Sequence, residues 1–322
     1  MSERLLLLPV LAGGREVAMK LTGFLVAVLL LAGPARGRAD QLDDTYQQLK
    51  TAVASKDVAQ VKKLVSELYP LTCEITMSQA PQDPDEKQSW TNRVEYAKGI
   101  ATYAEYALFA TAIQSPAPVM IDLLSTLEQQ NAKSKYLDEA YGRYLVALNQ
   151  TGAAAKIPAI ADKAIQNFPE NEDLLLYLAD SASTHKQPDR ALNYANRLVA
   201  ALGKRSKPDS MSAADWDRKK SAALGRGYWI AGVISGERGQ YSAADKDLRA
   251  ALPHIQGNSA MLGPAYFYLG MANYQLGKMT LNKNLLQEAA KFSELSAGIA
   301  SAYTEQARHN ALVMKAEADK MR

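Results

Sequence analysis

Three histidines, one cysteine and a few acidic and hydroxyl groups are the residues of this 322-residue chain with types suited to chemistry. His185, His254 and His309 lie far apart, and none belongs to an HExxH, HxxE or Cys/His ligand spacing. His185 falls at an expected turn and His254 follows Pro253, so both read as exposed loop residues. Cys73 stands alone, which excludes an intramolecular disulfide; it reads as a small hydrophobe buried under a helix. Asp83, Asp85 and Glu86 cluster, but a calcium loop needs a different spacing and a glycine, whereas the N-terminus of a helix attracts such charges. Ser134-Lys135 and Ser206-Lys207 are ordinary polar pairs, and the sequence holds no phosphate loop or nucleophile elbow. No catalytic constellation, metal site or cofactor motif is legible. The expectation is a binding protein rather than an enzyme.

The elements that would position any site are helical. Good helix formers (Ala, Leu, Gln, Lys, Glu) are abundant, and no stretch alternates β-branched residues with period two, so the fold class is all-α. Residues 40–54 carry Leu42, Tyr46, Leu49 and Val53 at helical spacing. Ser55-Lys56-Asp57 then turns the chain, with Asp57 an N-cap for a helix over 58–68. Residues 70–84 read as a loop, 85–114 as a long helix stopped by Ser115-Pro116-Ala117-Pro118, and 119–130 as its return.

The first 39 residues read as a targeting segment. Met19-Lys20 opens a basic stretch, residues 21–33 form an apolar run too short to span a membrane, and small residues follow where cleavage occurs. Residues 1–18 look like a mis-assigned upstream start, and no cysteine follows the run to take a lipid. The expectation is an exported protein of the periplasm or cell envelope, with no stable membrane insertion. Removing 1–39 leaves thirty-two basic and thirty-two acidic residues, so the basic balance belongs to the leader and no nucleic-acid footprint is expected.

From residue 138 onward a unit of about 34 residues recurs. The first places Tyr141, Tyr144-Leu145, the turn glycine Gly152, the small residue Ala164 and the terminating Phe168-Pro169. The second repeats the register with Leu178-Ala179, Pro188-Asp189 and Ala191. A third has Tyr228, Ala231-Gly232, Gly239 and Ala244; a fourth has Tyr266, Leu269-Gly270, Gly277 and Ala289. Polar insertions near 203–211 and 279–285 interrupt the series, and Gly298 bends a final helical stretch. These residues resemble the tetratricopeptide repeat family, with Lys186 standing where glycine is usual and Ile157 where alanine is usual. The expected domains are degenerate helical hairpins over 40–137, repeats over 138–300 and a capping helix over 301–322.

The resemblance implies an α-solenoid of antiparallel helical pairs that binds protein or peptide along a concave face. Carried over by register, that face would include Glu139, Val146, Asn149, Asp173, Leu176, Asp180, Trp229, Val233, Phe267, Met271 and Gln275. The Lys/Asn clamp with which chaperone-binding members hold a terminal carboxylate is absent; Gly142, Val146, Leu176, Asp180, Trp229 and Val233 stand there instead. Such a face would favour an extended apolar or mildly basic ligand on a non-catalytic scaffold, with self-association also compatible. The alternative is a small-ligand or glycan binder with a closed, aromatic-lined pocket; an enzyme built from distant side chains comes third.

Overall fold

A computed structural model describes residues 35–208 and 211–321, which fall into two compact units dividing after Ala154. Of the segment 1–39 read as a targeting leader, residues 1–34, with the expected upstream start, lie outside the described residues, and residues 35–39 belong to the first helix. The described residues form thirteen α-helices and no strand.

The first unit holds α1 (Ala35–Ala54), α2 (Val58–Thr76), α3 (Pro84–Ala112), α4 (Ala117–Gln130) and α5 (Lys135–Gln150). Local chemistry sets most of the ends. Lys56 takes a left-handed φ of 57°, and the Asp57 carboxylate accepts from Gln60 N at 3.1 Å to start α2. Asp83 does the same for α3, accepting from Asp85 N at 2.8 Å, with Pro84 at the first position. Each helix packs on the next, and α3 also touches both α1 and α5. Leu49, Leu68, Ile100, Leu108, Leu123, Leu127 and Leu148 form the buried core between them.

Two expectations fail in this unit. The loop over 70–84 is shorter than predicted, because α2 continues through Pro70 to Thr76. Pro70 and Ser66 are both exposed, so the carbonyl left without its amide partner faces water and the break in the ladder is tolerated. Cys73 is consequently helical and only partly buried, not a core hydrophobe.

The second unit holds α6 (Ile157–Asn167), α7 (Glu172–Thr184), α8 (Pro188–Lys204), α9 (Ala213–Glu237), α10 (Tyr241–Ala251), α11 (Ser259–Thr280), α12 (Lys283–Ala297) and α13 (Thr304–Lys320). Gly239 turns α9 into α10 with φ 70°, while Lys186 adopts φ 54° in the turn between α7 and α8. A left-handed lysine there costs about 1–2 kcal/mol relative to glycine. Successive helices pack in order, and the odd members α7, α9, α11 and α13 also contact one another. Small residues permit that closeness: a Cβ on Gly232 would lie 2.5 Å from Leu248 Cγ, and one on Gly236 2.6 Å from a Tyr268 ring carbon. Even helices are linked instead by long ion pairs, Arg190–Asp162 between α8 and α6 and Arg249–Glu288 between α10 and α12.

The stretch read as a fourth repeat departs from expectation. Gly277 is not the turn; it lies buried inside α11, where a Cβ would meet Leu286 Cδ2 at 3.0 Å. The expected insertion is absorbed by extending α11 to Thr280, and Leu281 (φ 52°) makes the turn while Asn282 caps α12. The last helical stretch is broken rather than bent: α12 ends at Ala297 and α13 begins at Thr304. In the earlier insertion, Gly203 and Lys204 still belong to α8, and irregular backbone starts at Arg205.

Candidate functional site

On α7 and α9 of the second unit, the acidic residues assigned to ligand contact already have partners. Lys219 of α9 reaches Asp173 Oδ2 at 2.7 Å and Glu172 Oε1 at 2.8 Å on α7. Glu172 is 3% exposed, and its other oxygen lies 3.0 Å from Arg205 Nε. Seven residues along both helices, Arg226 donates to Asp180. The same guanidinium stands 4.8 Å from the centre of the Trp229 ring. Burial opposes the charge on Lys219, yet Asp173 and Glu172 together outweigh it and hold the ammonium above its ordinary pKa. For Asp180 burial wins over Arg226, and its pKa is raised.

The aromatic residues of this face are anchored as well. Trp229 is half-buried and donates its indole N–H to Met261 O at 2.8 Å, tying α9 to the start of α11. Phe267 is 6% exposed and stacks on Tyr303 at 4.5 Å, so α13 and its leading turn cover it. Met271, one turn on, receives Asn310 of α13 at its sulfur, 3.4 Å away. Leu176, Val233 and Gln275 are half-buried. Of the predicted set in this unit, the structure thus brings Asp173, Asp180 and Trp229 into one polar seam, and places Phe267 and Met271 against α13.

The first unit presents a second face, on α3. Tyr96, Gly99, Tyr103 and Tyr106 follow one another at i, i+3, i+7 and i+10, which sets them on one side of α3. Tyr103 meets Tyr46 of α1 edge-on at 5.4 Å, Tyr106 lies 6.3 Å from Tyr103, and Tyr136 of α5 lies 5.7 Å from Tyr106. Phe109, 7% exposed, stacks beneath Tyr136 at 5.5 Å. Tyr96 donates to Asp43 Oδ1 at 2.6 Å. Glu139 and Val146 continue the Tyr136 face of α5 at i+3 and i+10; Asn149 is exposed near the end of that helix. The spacing of these tyrosines is readable in the sequence; the rings of α1 and α5 that stand opposite them are not.

Elsewhere, His185 is exposed and its Nδ1 lies 2.7 Å from Ser181 O. His254 is not a free loop residue: it is half-buried with Nδ1 2.8 Å from Ser221 Oγ. Among the described residues no carboxylate orients its other nitrogen, so the pair ties the turn after α10 to α9 without the third member of a hydrolytic triad. No group of His, Cys, Asp and Glu is placed to hold a metal, and no helix is long and apolar enough to cross a membrane, among the described residues. An open concavity of about 610 Å³ is lined by Tyr266, Lys291, Glu294, Leu295, Gly298 and Ile299. It contains none of the predicted residues.

No protein-family model, curated protein or solved structure matches the chain. The two stretches of chain that carry the candidate residues differ in charge. Residues 40–154 carry fifteen acidic and ten basic side chains, residues 155–322 seventeen and twenty-two. The even balance of acidic and basic residues over 40–322 is a cancellation between these two oppositely charged stretches.

Proposed function

We propose that the protein is an exported, non-catalytic scaffold of the periplasm or cell envelope that binds a protein or peptide along the inner helices of a tetratricopeptide-like α-solenoid. The observation that carries this reading is the alternation of contacts: within each unit odd helices pack on odd helices, while neighbouring even helices are bridged by long side chains. Stacked helical pairs of this kind bury a shared core and leave the row of inner helices as an extended surface for a ligand. In support, the inner rows carry half-buried Leu176, Val233, Tyr46 and Tyr103.

The test is site-specific photocrosslinking in cells. A benzophenone amino acid at Leu176, Val233 or Tyr106 is expected to capture the same partner reproducibly, and one at Lys246 of the outward helix α10 to capture none. Equal capture at inner and outer positions, or none at any, would overturn the reading.

A further inference from the structure

We propose that the tyrosine face of the first unit is a binding site for an extended basic peptide, whose arginine or lysine side chains lie over Tyr103 and Tyr106. The inference rests on the scaffold reading and names the ligand chemistry for one face of it.

Four observations converge. First, the rings form a continuous ladder from Tyr46 through Tyr103 and Tyr106 to Tyr136, and Tyr106 keeps 44% of its surface exposed. Second, the chain itself places cations on the two end rings: Lys50 Nζ stands 4.7 Å from the centre of Tyr46, and Lys135 Nζ 5.1 Å from that of Tyr136. Those distances are within the range over which a ring quadrupole attracts an ammonium. Among the described residues, no cation covers the two middle rings.

Third, the unit that carries the face is acidic, with fifteen acidic against ten basic side chains over residues 40–154. Carboxylates flank the ladder at both ends, exposed Asp43 beside Tyr96 and exposed Glu139 one helical turn from Tyr136. A cationic ligand is drawn to such a surface and an anionic one repelled. Fourth, the spacing fits an extended backbone. Alternate side chains of a strand-like peptide repeat every ~6.6 Å on one side, and the centres of Tyr103 and Tyr106 are 6.3 Å apart. Burial also raises the phenol pKa of Tyr46 and Tyr103, so these rings remain neutral π faces throughout the physiological range.

The test is fluorescence anisotropy of a labelled (Gly-Arg)6 peptide against the full-length protein, with (Gly-Gln)6 and (Gly-Glu)6 as comparators. The arginine peptide is expected to bind more tightly than either. Tyr103→Ala with Tyr106→Ala should weaken it about tenfold or more, as expected for two lost cation–π contacts. Tyr103→Phe with Tyr106→Phe keeps both rings and should stay within about twofold of wild type. Thermal melts of both double variants, followed by circular dichroism, separate loss of the face from loss of the fold. The proposal is overturned if the arginine peptide binds no better than the glutamine one. It is equally overturned if a folded alanine variant binds like wild type, which would mean attraction by net charge alone, or if the phenylalanine variant falls as far as the alanine one. Photocrosslinking at Leu176 and Val233 distinguishes the two failures: a partner captured there without binding of the arginine peptide leaves the scaffold standing and removes only this inference.

Discussion

Lys219→Met separates a structural ion cluster from a ligand-contacting one. The ammonium lies 2.8 Å from Glu172 and 2.7 Å from Asp173, and Glu172 is 3% exposed. Deleting one partner of a buried pair costs about 3–5 kcal/mol because the remaining charge stays desolvated. Here Arg205, 3.0 Å from the other Glu172 oxygen, still compensates part of that charge, so the expected loss is about 2–3 kcal/mol. The assay is urea unfolding followed by tryptophan fluorescence in a Trp90→Phe background, which leaves Trp216 and Trp229 as reporters of the second unit. The pH sign follows from the raised ammonium pKa. The contribution is full below the lysine's ordinary value near 10.4 and is lost as pH rises through the higher folded one, so measurement at pH 7 captures all of it. In a Glu172→Gln background the same substitution should cost at least about 1 kcal/mol less. A loss below about 0.5 kcal/mol would place the cluster among solvated surface pairs and refute the reasoning. So would an equal loss in both backgrounds, which would mean that Lys219 acts through something other than Glu172.

Three further outcomes are expected. Asp180→Asn should be neutral or slightly stabilising at pH 7, because burial raises the folded carboxyl pKa; the proton is held more tightly in the folded state, and stability from this group falls as pH rises through that value. Thermal melts at pH 4 and pH 7 check it, and a larger deficit of the variant at pH 7 than at pH 4 would contradict it. Gly232→Ala would place a Cβ 2.5 Å from Leu248 Cγ and 3.0 Å from Leu248 N, so α9 and α10 must separate. The expected loss is about 1–3 kcal/mol despite the better helix propensity of alanine, read from urea midpoints. Tyr144→Phe should change little at pH 7. The wild-type phenol, 2% exposed, is pushed up to about 12 by burial and by the nearby Glu128 charge. Its contribution is complete below pH 10 and lost on the way to pH 12, so the variant should lose up to about 3 kcal/mol less over that window in alkaline denaturation.

Several features were legible from short stretches of chain. The caps Asp57 and Asp83 sit at helix starts, and Gly152 and Gly239 turn with φ 75° and 70°, because capping and left-handed turns involve atoms only a few residues apart. Gly277 was misassigned for the converse reason. A glycine suits a turn and a close helix contact equally well, and only the position of Leu286 reveals which role this one has. Pro70 misled in the same way, since whether a proline ends a helix depends on the exposure of the carbonyl it abandons.

The candidate faces divide along the same line. Helical periodicity alone puts Tyr96, Tyr103 and Tyr106 on one side of α3, and Asp173, Leu176 and Asp180 on one side of α7. It does not say what stands opposite. Asp173 and Asp180 are engaged by Lys219 and Arg226, 46 residues further along the chain, while the tyrosines look across to Tyr46 and Tyr136. By itself the sequence determined helix type, most turn positions and the residue set on each face, because those follow from backbone sterics and a fixed 3.6-residue period. The tertiary structure alone decided which polar groups are already satisfied and which rings remain accessible, because that depends on the register between packed helices, set by the fit of side chains distant in sequence.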